Sequence, residues 1–261
     1  MHKEKNSAFN FGANWQRFSE SSLDNLKFEE AFNSLGQLIG HEKIRGGSFL
    51  DIGCGSGIFA IAASLAGARK VVGIDISKES IAASINNKKR FANQNAIDFL
   101  HKSILDDDIL QLGRFDIVYS WGVLHHTGDM WRSIDIASQL VSPDSLFVIA
   151  IYNKHWSCRF WKPIKRLYNV APAIIQRLMI WIFFVIIAMA KLIVTRKNPF
   201  KKQKRGMSFY YDVIDWVGGY PYEYADKNEV INCVERLGFK CIKFVKPVVP
   251  TGCNEFVFLK T

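Results

Sequence analysis

Two carboxylates, three alternating glycines and a pair of histidines are the residues of this chain whose types and spacing could do chemistry. Leu50-Asp51-Ile52-Gly53-Cys54-Gly55-Ser56-Gly57-Ile58 is an apolar run that breaks into glycines, and Val71-Val72-Gly73-Ile74-Asp75 is a second apolar run ending on a carboxylate. Alternating glycines let the backbone turn sharply and approach a ligand with no Cβ in the way, and a carboxylate at a strand tip can accept hydrogen bonds from two ribose hydroxyls. Together they describe a nucleotide pocket. The third glycine comes one residue earlier than in Gly-x-Gly-x-x-Gly, where a pyrophosphate meets a helix N-terminus. Asp51 and Asp75 add negative charge beside the pocket, which suits a cation and would repel a pyrophosphate. His125 and His126 are the candidate general bases, because an unperturbed imidazole titrates near neutral pH and can take a proton from a hydroxyl. As zinc ligands the pair is poor, since successive side chains diverge and no further ligands lie nearby in sequence.

The elements that must position these residues follow from periodicity. A helix is predicted over Leu23 to Ile44, then a first strand over Ser48 to Ile52 and a small-residue helix over Ile58 to Ala66. Val71 to Asp75 is the second strand, and Ser77 is placed to cap a helix running to Gln94. Ile97 to Lys102 and Phe115 to Ser120 suit the third and fourth strands. After a helix from Asp129 to Leu140, Pro143-Asp144 turns the chain into a fifth strand, Leu146 to Tyr152. Strands alternating with helices at this pace mean a parallel sheet with right-handed crossovers. The pattern then stops and resumes with a helix over Asn228 to Leu237, Gly238 as its C-cap, and an antiparallel pair, Lys240 to Val245 and Glu255 to Lys260.

The glycine loop with Asp51, and with Asp75 eighteen residues past Gly57, resembles the class I S-adenosylmethionine-dependent methyltransferases. The resemblance extends over residues 46–152 by motif and 226–261 by fold pattern, and within the superfamily it is greatest to the small-molecule group that includes the quinone-biosynthesis enzymes. It implies an α/β fold: a seven-stranded, mostly parallel, doubly wound sheet of order 3-2-1-4-5-7-6, its last strand antiparallel, with a helical insertion after strand five. It also implies S-adenosyl-L-methionine as cofactor, held by Asp51, Gly53, Cys54, Gly55, Gly57, Asp75, Ile76, Ser103, Ile104, Ser120 and Trp121. Ser103 stands where the family usually has an Asp for the adenine amino group, so that bond would lack charge. Ile76 and Ile104 would pack on the adenine, or serve structure alone. At the tip of strand four, Tyr119 to Asp129, the family sets the methionine moiety against the acceptor. The Asn/Asp-Pro-Pro-Tyr motif of relatives methylating exocyclic amines of nucleobases and the Pro-Cys nucleophile of cytosine C5 enzymes are absent from this tip, which argues against base methylation by those two routes. His125 and His126 are the catalytic candidates, His125 the first choice, although one such histidine is often structural in similar members. The transfer is an in-line displacement that asks mainly for near-attack positioning in a dry pocket, so a missing base would not argue against it.

Charge divides the chain unevenly. Of 34 bases and 24 acids, the stretch from Leu146 to Tyr211 holds thirteen bases and no acid, leaving 21 bases against 24 acids elsewhere. The expected organisation is an N-terminal lid and helix (1–45), a methyltransferase core (46–152 and 226–261) and a basic, partly apolar helical insertion (153–225). Leu178 to Ala190 is thirteen apolar residues, short of the roughly twenty that span a bilayer. Across 154–205 this composition suits a helix lying in the interface of an anionic membrane; it also suits a cap buried against partner helices or a second subunit. A nucleic-acid footprint would leave the apolar run unexplained. The aromatic stretch Phe9 to Phe18 would fold over the cofactor as a lid, through Asn14 or Trp15, or cap the sheet edge. No apolar leader stands in Met1 to Glu30, and the five scattered cysteines suit a reducing cytoplasm, here at the inner face of a membrane. The expected activity is O-methylation of a small amphipathic or lipid-linked metabolite. The alternatives are a soluble metabolite or sugar as acceptor, and a cofactor-binding subunit that has lost catalysis.

Overall fold

The computed structural model describes residues 9, 11, 25–92, 96–196, 198 and 209–261. The lid contacts expected of Asn14 and Trp15, and the bases Lys197, Lys201, Lys202, Lys204 and Arg205, lie outside them.

Seven strands form one sheet: β1 (Ser48–Ile52), β2 (Lys70–Asp75), β3 (Ile97–His101), β4 (Phe115–Trp121), β5 (Val141–Tyr152), β6 (Phe239–Val245) and β7 (Cys253–Lys260). Their order is β3-β2-β1-β4-β5-β7-β6. The first five run parallel, and β7 is antiparallel to both β5 and β6. This is the order the resemblance implied. Successive strand residues feed opposite cores: Phe49, Val71 and Ile117 face one apolar cluster, and their neighbours Leu50, Val72 and Val118 face the other. Burial on both faces explains why these strands read as continuous apolar runs.

Helices α1 (Asn25–Ile39) and α3 (Ile58–Leu65) cover the first face. Helices α5 (Met130–Gln139) and α9 (Lys227–Glu235) cover the second. The single helix expected over Leu23 to Ile44 is two, because Gly40 (φ 93°) breaks α1 from the short α2 (His41–Ile44). Helix α4 (Lys78–Phe91) starts as expected, the Ser77 side chain accepting from the Ser80 amide. Strand β5 begins at Val141 rather than Leu146. Pro143-Asp144 still turns the backbone, but as a bulge within the ladder: Phe115 pairs with Val141 and Ile117 with Leu146, and Asp144 has φ 55°.

Among the described residues, three helices stand between β5 and α9: α6 (Cys158–Val170), α7 (Ala173–Thr195) and α8 (Phe209–Gly218). They share a separate small core of Tyr168, Ile180, Phe209, Val213 and Val217. Helix α7 outlasts the apolar run that marked it in the sequence. Gln176, Arg177 and Lys191 are helix formers and do not interrupt it, so Ala173–Ile193 is long and apolar enough to cross a membrane by length and composition. It nevertheless gives one side to α6 and α8 through Ile180, Phe183, Phe184 and Ile187. The opposite stripe, with Ile174, Leu178, Trp181, Val185, Met189 and Ile193, is exposed.

The clearest sequence-encoded boundary is the start of α9, where Asp226 accepts from the Asn228 and Glu229 amides and Glu229 returns a carboxylate to the Asp226 amide. Asp226→Ala will orphan these amides and lower stability by about 1 kcal/mol, seen as a lower urea midpoint with unchanged slope.

Candidate active site

At the carboxyl edge of the sheet the chain leaves β1 through Gly53, Cys54, Gly55 and Ser56 and enters α3 from Gly57, which is left-handed at φ 76°. The Gly53 and Cys54 amides both donate to Ile74 O, at 2.8 and 2.9 Å, stapling the loop to the end of β2. Glycine is required at two positions for space. A Cβ on Gly53 would stand 2.4 Å from the Val123 side chain, and one on Gly57 would stand 2.7 Å from the Phe99 ring. The Asp75 carboxylate completes the staple, accepting from the Gly55 amide (2.9 Å) and the Ser77 amide (2.8 Å). Burial raises its pKa despite those bonds.

Asp51 lies beside it, 3% exposed, and its Oδ2 has no hydrogen-bond partner. Burial first, and the Asp75 charge second, push its carboxyl up to about 7. Buried polar atoms are almost always paired, so an orphaned carboxylate oxygen next to a second carboxylate calls for a cationic hydrogen-bond donor. The ammonium of S-adenosyl-L-methionine meets that need, and the sulfonium adds positive charge without donating a hydrogen bond. Burial and the same two carboxylates raise the Cys54 thiol, leaving it an inert packing group against Gly73.

Other expected cofactor residues divide. Ile76 is 73% exposed beside Asp75, free to take a flat apolar ligand. The Ser103 hydroxyl oxygen already accepts from the Leu105 amide at 3.1 Å, within a turn closed by Asp106. Ile104 joins neither, being buried in the core with Ile52, Ile74 and Leu124. Ser120 is fully buried and donates to Ile52 O, tying β4 to β1, while the Trp121 indole donates to Glu255 on β7 at 2.9 Å.

The two histidines sit in a single 3₁₀ turn, Leu124–His126, and have different surroundings. His125 is fully buried with neither ring nitrogen partnered, its ring 4.0 Å from that of Tyr152. Burial, chiefly, holds it neutral. His126 is partly exposed, and its Nδ1 lies 2.6 Å from Pro221 O. A carbonyl only accepts, so Nδ1 carries the proton and Nε2 the lone pair. Burial of the ring lowers its pKa to about 3.

Sequence reasoning missed Lys165. It is fully buried on α6, hydrogen-bonds the Trp216 carbonyl, and lies 4.3 Å from the Trp216 ring, 4.7 Å from Tyr222 and 6.0 Å from Tyr152. Among the described residues no carboxylate forms an ion pair with it. Burial depresses its ammonium to about 7. The signal was available, since Cys158, Lys165 and Tyr168 share one helical face and are the residues α6 buries. Glu223 accepts from the Met130 amide at 3.1 Å and caps α5.

A family described as "Methyltransferase domain" matches residues 26–243. This chain belongs to that family, and with it to the S-adenosyl-L-methionine-dependent methyltransferases. It is 32% identical over 130 residues to a ubiquinone biosynthesis O-methyltransferase of Rhodopseudomonas palustris (strain TIE-1), half of this chain and 47% of that relative. Over 71 residues it is 49% identical to a ribosomal protein L11 methyltransferase of Methylobacillus flagellatus, covering 27% of this chain and 22% of that protein. The chain thus spans about half the length, or less, of the curated relatives it matches. Its fold is similar to that of magnesium protoporphyrin IX methyltransferase from Synechocystis PCC 6803, solved with bound SAH. The TM-score is 0.59 at 14% identity, covering 95% of this chain and 94% of that one.

Two titrations follow from the buried charges. The Asp51 carboxyl has its pKa raised by folding from 3.8 to about 7, so its contribution to stability is present below 3.8 and lost as pH rises through about 7. Asp51→Asn will therefore stabilise the free protein at pH 8, by up to about 4 kcal/mol, while weakening S-adenosylmethionine binding at least about tenfold in calorimetry. Lys165 runs the opposite way. Its pKa falls from 10.5 to about 7, so the stability it contributes is present above 10.5 and lost as pH falls through about 7. Lys165→Met will flatten the rise in urea midpoint between those two values.

Proposed function

We propose that this chain transfers the methyl group of S-adenosyl-L-methionine to an oxygen of a small, amphipathic or lipid-linked acceptor, at an anionic membrane surface on the cytoplasmic side. The observation that carries the reading is the arrangement along one sheet edge. An orphaned carboxylate and a glycine cradle stand at β1 and β2, and a neutral imidazole with a free lone pair stands at the tip of β4. The cofactor, when bound, supplies an electrophilic methyl on a sulfonium.

The chain's own residues do the rest. Asp75 is placed for the ribose hydroxyls and Asp51 for the cationic end, while Ile76 is free to cover the adenine. His126 is held by Pro221 O with Nε2 available, and takes the acceptor's hydroxyl proton as the carbon–oxygen bond forms. Its low pKa makes it a weak base that stays neutral throughout the physiological range. Weak basicity suffices where positioning supplies most of the rate. His125, enclosed against Tyr152, supports that ring and positions its neighbour.

The acceptor class is supported by α7 and by the O-methyltransferase similarity over half the chain. The exposed stripe of α7 carries Trp181 and Met189, and the exposed bases Arg177 on α7 and Arg159, Lys162 and Arg166 on α6 belong to the same acid-free segment. A helix that keeps one side on its own domain lies along an interface rather than across it, with bases reaching headgroups.

Labelled S-adenosylmethionine with cell-extract fractions will give a methyl ether that partitions into organic solvent. His126→Ala will lose about 10²–10⁴ of the rate with S-adenosylhomocysteine binding intact. Binding with no turnover on any fraction would instead make the chain a cofactor-binding subunit, and a water-soluble product would remove the amphipathic acceptor. In flotation, wild-type protein will rise with phosphatidylglycerol vesicles and Trp181→Glu will not; wild-type protein that stays at the bottom of the gradient overturns the membrane assignment.

A further inference from the structure

The last turn of α8 runs into Gly218-Gly219, where the Cβ space of Gly218 is taken from outside the helix and that of Gly219 by the helix backbone together with side chains from outside it. A Cβ on Gly218 would lie 2.3 Å from the Phe9 ring. A Cβ on Gly219 would lie 3.2 Å from the Phe11 ring, 3.0 Å from His126 Cε1 and 2.7 Å from Asp215 O. The glycine pair is therefore a seat for two phenylalanines that come from the far N-terminus. The seat is fastened as well as shaped. The Phe9 amide donates to Tyr220 O at 2.9 Å, the Phe11 amide donates to Phe9 O at 3.1 Å, and the two rings meet edge to face at 4.7 Å. Phe11 then reaches the His126 ring at 4.7 Å, on the residue whose Nδ1 is already held by Pro221 O.

We propose that Phe11 is the gating residue of the acceptor site: its ring, seated by Gly218-Gly219, covers His126, and an acceptor reaches the histidine only by displacing or stacking beneath that ring. This rests on the reading of His126 as the acceptor-side histidine. The cover is selective in a simple physical way. A flat apolar acceptor replaces the ring contact that Phe11 gives up, whereas a hydrated sugar hydroxyl does not. Phe11 thus favours apolar acceptors before any contact with the methyl donor is made. Its neighbours continue the surface: His126 meets Tyr152 at 5.3 Å, and Tyr152 meets Trp216 at 5.3 Å, each near a right angle.

The test needs no identified acceptor. Diethylpyrocarbonate acylates an accessible neutral imidazole nitrogen, and the modified peptide is quantified by mass spectrometry on the full chain, with enclosed His125 as internal reference. Phe11→Ala will raise the modification rate of His126 about tenfold, and Phe11→Leu, which keeps apolar cover, will stay near wild type. Gly218→Ala is an independent variant that unseats Phe9 without touching His126, and it will raise the rate in the same direction. Calorimetry with S-adenosylhomocysteine is run on each protein. Unchanged His126 rates in Phe11→Ala and Gly218→Ala, with S-adenosylhomocysteine still bound, overturn the gate and leave the methyltransferase reading standing. Loss of S-adenosylhomocysteine binding in the wild type would count against that reading itself, whatever the modification rates.

Discussion

The Asp75 carboxylate accepts from the Gly55 amide with one oxygen and from the Ser77 amide with the other, so a single side chain fastens the glycine loop to the start of α4. The Gly53 and Cys54 amides are spent on Ile74 O, at the same strand end, and the Gly57 amide closes the loop on Cys54 O. That arrangement fixes the pocket and also creates its tension. Asp51, one strand over, is enclosed near a second carboxylate, and the fold satisfies the anion of Asp75 first. Asp51 is left with an unpaired oxygen and a carboxyl that resists ionisation. A site so built loses free energy in the absence of a cation and regains it on binding one, which is how a protein keeps affinity for a small charged ligand without a deep cavity.

The parts legible in the sequence are those whose chemistry is local. Gly53, Gly55, Gly57, Asp51 and Asp75 lie within one strand-loop-helix-strand unit, so their spacing alone describes a pocket. Ser77 caps the helix it immediately precedes. The sheet order followed from a resemblance carried by that same unit. What periodicity could not report is how residues far apart in sequence divide the work. Ser103 and Ile104 sit at the correct strand tip, yet one is consumed by a local turn with Asp106 and the other by the core. Phe11 and Gly219 are separated by most of the chain, and nothing in either neighbourhood announces their contact. Lys165 was hidden by its own composition. In a stretch with thirteen bases and no acid, the one base that turns inward is not distinguished by type, only by its place on the helical face it shares with Cys158 and Tyr168.

That inward lysine also ties α6 to α8 through the backbone. Helix C-termini carry partial negative charge on their last carbonyls, and Lys165 meets one of these at Trp216 O while Asn169 donates to the next free one, Gly218 O, at 2.6 Å. The faces of Trp216 and Tyr222 supply further favourable field to the ammonium. None of this equals the hydration the ammonium gave up, and so its pKa falls. The lysine therefore gives the three-helix layer a defined register at a cost in stability, and the layer can present its exposed apolar stripe on a rigid base.

The histidine pair shows why adjacency in sequence says little about equivalence in a site. In a 3₁₀ turn successive side chains point about 120° apart, so two neighbouring imidazoles enter different surroundings by geometry alone. His125 takes the inward direction and is sealed against Tyr152 with no partner for either nitrogen, while His126 takes the outward direction and spends one nitrogen on Pro221 O. The second arrangement is the productive one for proton transfer, because a fixed tautomer leaves one lone pair aimed and available. Enclosure alone does not provide that. Where a sequence reading favours His125, the proposed reading favours His126, through a carbonyl almost a hundred residues away on the loop that also carries the seat for Phe11. His126, its tether and the Phe11 contact converge there because the chain returns over the tip of β4, so on the proposed reading that return loop, rather than the histidine motif itself, decides which acceptors are admitted.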